Sequence, residues 1–140
     1  MYLLDTNVLS ELRKAAHGKA NPQVVHWASQ QNTAHLYTSV ITILELEQGI
    51  LQIERRDTQQ GKPLRHWLEQ QVLPSFAGRI LSLDIKAARQ CAALHVPNPV
   101  SYRDAMIAAI ALANKFTMVT RNTEGFKATG VTLINPWSAI

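Results

Sequence analysis

With 140 residues, 46% hydrophobic and 17% charged, the chain has the size and balance of an ordinary globular domain, which excludes disordered and collagen-like classes. A formal charge of +4 and a pI near 9.5 suit a surface that attracts phosphate backbones, without choosing between RNA and DNA. The single cysteine, Cys91, excludes an internal disulfide and a thiolate metal site. Its neighbours Ala-Arg-Gln-Cys-Ala-Ala-Leu predict a buried thiol on a helix rather than a nucleophile. The longest apolar stretch, residues 105–113, is about half of what a membrane span requires, and the N-terminus lacks a basic, long apolar leader. One domain over residues 1–140, cytoplasmic and away from membranes, is expected.

Residues 1–4 form a short apolar run, and Asp5-Thr6-Asn7 suits the end of a strand and the start of a helix through residues 8–12. After Gly18 and Asn21-Pro22, residues Val24, Val25, Trp27 and Ala28 predict a short amphipathic helix, and residues 36–40 a β-branched, aromatic strand. A helix from Thr42 to about Ile53, a polar turn over residues 55–61 and a second helix carrying Leu64, Trp67, Leu68 and Val72 predict a protruding hairpin. Its residues Leu46, Ile50, Leu51, Trp67 and Leu68 are expected to leave an exposed apolar groove that accepts an amphipathic helix.

Residues 79–83 read as the third strand and residues 84–95 as an alanine-rich helix, which Pro97-Asn98-Pro99 ends. Residues 101–115 are apolar nearly all round, the pattern of a central packed helix. Residues 116–120 and 131–134 are apolar strands without strict alternation, as expected when helices cover both faces of a parallel sheet. The fold class is therefore α/β, an open sandwich.

Three acids, Asp5, Glu45 and Asp104, lie just beyond a predicted strand or in the first turn of a helix, where the carboxyl edge of an open α/β sheet binds ligands. Each has a structural alternative: Asp5 as a helix cap, Glu45 and Asp104 as the distal members of capping boxes with Thr42 and Ser101. If the fold gathers them, their mutual repulsion calls for a divalent cation, and all-oxygen ligands select Mg²⁺ or Mn²⁺ over Zn²⁺. The five histidines are scattered without zinc spacing. Asn122 suits a metal-bound water or a turn after a strand, and Glu124 a further ligand or an exposed loop acid. Arg103, Arg121, Arg13, Lys14 and Arg55-Arg56 are candidate phosphate contacts with solvated alternatives. Phosphodiester hydrolysis at such a centre uses metal-activated water and needs no base side chain. A haloacid-dehalogenase-type phosphatase wants a second Asp where Asn7 stands, and a receiver domain wants adjacent N-terminal acids; neither pattern is present.

Leu4-Asp5-Thr6-Asn7, Glu45-Leu46-Glu47-Gln48-Gly49, Asp104-Ala105-Met106-Ile107-Ala108-Ala109 and Thr120-Arg121-Asn122, closed by Ile134-Asn135-Pro136-Trp137, resemble the PIN-domain ribonucleases, in particular VapC and FitB-like toxins of toxin–antitoxin modules. The resemblance implies an open parallel β-sheet with helices on both faces, an acidic pocket for Mg²⁺ or Mn²⁺, and endonucleolytic cleavage of tRNA or another structured RNA. It also implies a cognate antitoxin, operator DNA contacted only through that antitoxin, and a homodimer. Asp5, Glu45 and Asp104 match the family's three most regular acids, Asn122 matches a fourth position that is often Asp or Asn, and Thr120 matches a hydroxyl beside it. Where the family commonly has a carboxylate directly before the aromatic Phe126, this chain has Gly125, with Glu124 one step earlier. A PIN-fold module with a weakened metal site, acting through protein binding, is the alternative that Asn122 and Gly125 sustain.

Overall fold

The computed structural model describes residues 1–138. In chain order the elements are β1 (Tyr2–Leu4), α1 (Thr6–Arg13), α2 (Pro22–Ser29), β2 (Leu36–Ser39), α3 (Val40–Arg56), α4 (Thr58–Trp67), α5 (Leu73–Ser75), β3 (Ile80–Leu81), α6 (Ile85–Leu94), α7 (Tyr102–Asn114), β4 (Thr117–Val119), α8 (Thr123–Phe126) and β5 (Leu133–Ile134). A π turn over Leu68–Val72 joins α4 to α5. The five strands form one parallel sheet in the order β3-β2-β1-β4-β5. Winding runs one way from β1 through β3 and the other way through β4 and β5. The crevice between the carboxyl ends of β1 and β4 is thus the switch point where such sheets bind ligands.

Alternation along the strands divides the core. Leu3 and Met118 face a cluster with Ile107, Ala108, Ile110 and Ala111 of α7 and Ala87 of α6. Leu4 and Val119 face the opposite cluster, with Val8 and Leu9 of α1, Leu46 and Ile50 of α3, and Leu68 and Val72 of the π turn. Helices therefore cover both faces, which is why the strands lack a polar side. α7, apolar nearly all round beyond its first turn, is the central helix expected, and Cys91 is buried on α6. Among the described residues no helix is long and apolar enough to cross a membrane.

Several expected boundaries move. The strands are shorter than the apolar runs, because β-pairing ends where the chain turns into a helix: Val40 opens α3, and Ser39 Oγ caps it by accepting the Thr42 N–H at 3.1 Å. The polar turn expected over residues 55–61 contracts to Asp57, whose extended backbone ends α3 and whose side chain accepts the Gln59 N–H at 3.0 Å to start α4. The apolar groove expected on the hairpin has a different lining: a cavity of about 230 Å³ is walled by Trp67 and Val72 with Leu9 and Leu12 of α1 and Phe76. Leu46, Ile50 and Leu68 are buried in the core against α1, Trp67 is partly buried, and of the five residues only Leu51 is exposed.

The two long helices are instead fastened by Arg65, whose guanidinium meets Glu54 at 2.9 Å and Glu47 at 2.5 Å. Close approach also rests on Gly61, where an added Cβ would lie 3.2 Å from the Glu54 backbone Cα. Gly61→Val should therefore destabilise the fold by about 1–3 kcal/mol through overpacking. Urea denaturation checks this, and an unchanged midpoint would contradict it.

Candidate active site at the carboxyl edge of the sheet

Asp5 follows β1 directly and caps α1, accepting the Thr6 N–H through Oδ1 at 2.8 Å. Its backbone N–H donates to Val119 O at 2.9 Å, which locks the ends of β1 and β4 together. Thr120 Oγ1, fully buried, donates to Asp5 Oδ2 at 2.8 Å and accepts from the Asn122 N–H at 3.0 Å and from Asn7 Nδ2 at 3.3 Å. Asn7 Oδ1 accepts the Arg121 N–H at 3.3 Å, so one asparagine stitches α1 to the loop after β4. Glu45, on α3, is held through Oε1 by Thr6 Oγ1 at 2.6 Å and lies 3.7 Å from Arg103 through Oε2. Arg103 is itself anchored on Gln48 at 2.6 Å.

These side chains open onto a cavity of about 460 Å³ lined by Asp5, Glu45 and Asp104, with Glu11, Lys14, Arg121, Asn122 and Trp137 among its walls. Burial raises the Asp5 carboxyl from 3.8 to about 6 against the lowering hydrogen bonds from Thr120 and Thr6, and the charges of Glu45 and Asp104 add to the rise. Asp104 is raised too, by burial and then by Glu45. The three acids thus feel one another, and a cation placed among them would relieve the repulsion. Among the described residues, no three His, Cys, Asp or Glu side chains already stand as a closed ligand set, and Glu45 is engaged on both oxygens. The donor chemistry nonetheless fits a hard divalent cation, since carboxylate, hydroxyl and amide oxygens line the pocket and neither imidazole nor thiol is among its lining residues.

The residues 2–131 match the family model described as PIN domain. The chain belongs to the PIN-domain family. It is similar to the VapC ribonuclease Y4jK of Sinorhizobium fredii, 40% identical over 98% of both chains. It is also similar to the toxin FitB of Neisseria gonorrhoeae, 36% identical over 98% of this chain and 99% of FitB. Among solved structures, that of FitAB bound to an IR36 DNA fragment matches with a TM-score of 0.88 and 33% identity, covering 100% of this chain and 98% of the other. The parallel sheet and two-sided helical cover expected from the sequence are those of this PIN domain.

Within the PIN domain, Asp5, Glu45, Asp104, Asn122 and Arg121 line one cavity although they come from four separate segments. Thr120 sits beneath Asp5 and orients it. The capping box expected from Thr42 to Glu45 does not form: Ser39 is the cap, and Thr42 faces Thr6. Nor does one form at Ser101, which makes no side-chain cap bond. Asp5 combines the cap with the pocket position. Asn122 caps α8, its Oδ1 accepting the Gly125 N–H at 3.1 Å. A Cβ on Gly125 would fall 2.9 Å from Asn122 Cγ, so the folded-back asparagine and the glycine depend on each other. Glu124 stays outside the pocket as an exposed acid 3.8 Å from Lys127, the loop-acid alternative. Arg103 reaches the site through Glu45.

Sequence reasoning does not reach Ser10 and Glu11, which also line the cavity. The available signal is spacing: Asn7, Ser10 and Glu11 fall three and four residues apart on one face of α1, and Lys14 follows three residues later at its C-cap. Glu11 accepts the Asn21 N–H at 2.8 Å, which lowers its carboxyl below the usual range and makes it a fastening for the α1–α2 loop.

The sign of the Asp5 shift yields a stability prediction for metal-free protein. Because the folded carboxyl titrates near 6 and the unfolded one near 3.8, the folded state holds the proton more tightly. That contribution is complete below about pH 4 and lost as pH rises through about 6, by up to about 3 kcal/mol. In EDTA, wild-type stability relative to Asp5→Asn should fall between pH 4 and pH 7.5. Parallel urea denaturation of the two proteins measures it, and a difference independent of pH would refute the assignment.

Proposed function

We propose that this PIN domain is a cytoplasmic, Mg²⁺- or Mn²⁺-dependent endoribonuclease and the toxin of a toxin–antitoxin pair, cutting tRNA or another structured RNA. The single observation that carries the reading is the convergence of Asp5, Glu45 and Asp104 on one cavity at the switch point of the sheet. The similar chain from Sinorhizobium fredii, named a ribonuclease, and the similar toxin FitB support the same direction.

Asp5, Glu45 and Asp104 would hold the cation, with Asn122 at the rim. A divalent cation bound there lowers the pKa of water and supplies counter-charge to the phosphate in the transition state. The chain's own residues set the stage for that chemistry. Thr120 and the Thr6 N–H aim both Asp5 oxygens, and the Asp5 backbone bond to Val119 keeps the carboxylate at the sheet edge. Lys14 and Arg121 on the cavity wall attract the phosphodiester and offset the acids as the backbone approaches. Arg121 lies over the Trp137 ring, 5.3 Å from its centroid, which restricts where its charge is presented.

A small antitoxin protein, through which operator DNA would be contacted, is the partner consistent with the likeness to FitAB. Homodimerisation belongs to the same proposal, and a light-scattering mass near 15.6 kDa at working concentration would count against it. Purified protein incubated with structured RNA should yield discrete fragments in Mg²⁺ or Mn²⁺ and none in EDTA. Equal cleavage in EDTA would sink the mechanism. Absence of cleavage with either metal would favour the weakened, protein-binding module, a reading that rests on Asn122 being committed to the Gly125 N–H.

A further inference from the structure

Thr6 Oγ1 lies 2.6 Å from Glu45 Oε1 and 3.1 Å from Thr42 Oγ1. Each hydroxyl owns one proton, and a carboxylate only accepts. Thr6 therefore gives its proton to Glu45, and Thr42 gives its own to Thr6, which makes the chain of hydroxyls directional. Thr42 is fully buried, where valine would pack without a polar group to satisfy; its hydroxyl finds its partner in Thr6. The contact joins the first turn of α1 to the first turn of α3, the two crossover helices that leave β1 and β2. The short distance to Glu45 is that of a charge-assisted bond. It takes one acceptor position of Oε1 and leaves the remaining one for another partner.

We infer that Thr6, backed by Thr42, is a positioning residue that presents the Glu45 carboxylate to a divalent cation in the acidic pocket. The inference rests on the nuclease reading of that pocket. Thr6 is doubly placed for the task, because its backbone N–H aims Asp5 while its hydroxyl aims Glu45. One residue thus coordinates the orientation of two acids from different helices. Thr42 acts only through Thr6.

Isothermal titration of purified protein with Mn²⁺ alone, without RNA, tests this by affinity rather than by turnover. Thr6→Val, which keeps shape and removes the proton, should weaken Mn²⁺ binding roughly 10-fold or more, the scale of losing a partner that orients a ligand. Thr6→Ser should stay within about threefold of wild type, since the hydroxyl is kept. Thr42→Val should fall between them, and Thr6→Val/Thr42→Val should bind no more weakly than Thr6→Val. Urea midpoints measured alongside separate affinity from folding. Unchanged Mn²⁺ affinity in Thr6→Val, or equal losses in Thr6→Ser and Thr6→Val, would overturn the positioning role. Wild-type protein that takes up no Mn²⁺ would instead overturn the nuclease reading beneath it, and the positioning role with it.

Discussion

Asp5→Asn should reduce Mn²⁺- or Mg²⁺-dependent RNA cleavage by more than roughly 100-fold, beyond the upper end of what losing an orienting partner of a metal ligand costs. The substitution keeps the side chain's shape and can keep the Thr6 N–H bond through Oδ1. It removes the charge and places an amide where Thr120 Oγ1 now donates, so two groups that hydrogen-bond by donating would face each other. Asp5 is 7% exposed, and its backbone is tied to Val119 at the junction of β1 and β4, which fixes where its charge is presented. Cleavage of end-labelled structured RNA, with circular dichroism confirming the fold, is the measurement. Residual activity within about threefold of wild type would remove Asp5 from the centre.

Phe126→Ala should cost about 3–5 kcal/mol and lower Tm by roughly 10–15 °C, the largest stability loss expected from a single side chain here. Phe126 is fully buried against the cluster that contains Leu3, Ile107, Met118 and Val131. It closes α8, whose cap is Asn122, so the cavity left behind lies directly under the loop that forms one wall of the acidic pocket. Cleavage should fall along with stability, because that loop is held by packing below and by the Asn7 bond to Arg121 above. Thermal melts at fixed protein concentration decide it. A shift under about 3 °C would mean that the site collapses around the truncation, contrary to the dense packing expected of this core.

Much of the architecture is legible along the chain because burial leaves a local signature. An α7 that is apolar nearly all round beyond its first turn belongs at the centre, and apolar strands without alternation are covered on both faces. Asp5 was identifiable for a related reason, since a polar group at a strand end falls where an open parallel sheet places its ligand edge, whereas Glu45 and Asp104 lie on α3 and α7. What the hairpin buries was not legible. Leu46, Ile50 and Leu68 have the spacing of an exposed docking face as much as of a core face, and only packing against α1 chose between them. The boundaries of α3 and α4 turned on single capping bonds from Ser39 and Asp57.

The sequence by itself determined an α/β sheet, the family, and which oxygen-bearing residues are candidates for the pocket, since period, breakers and motif order are properties of neighbouring residues. Only the tertiary structure decided that Thr42 faces Thr6 rather than capping its helix, that Glu45 is held on both oxygens, that Glu124 points away, and that Glu11 joins the pocket. Each of those outcomes pairs side chains carried by different elements. Which donor meets which acceptor is set by how helices cross a sheet, and no local periodicity encodes that crossing.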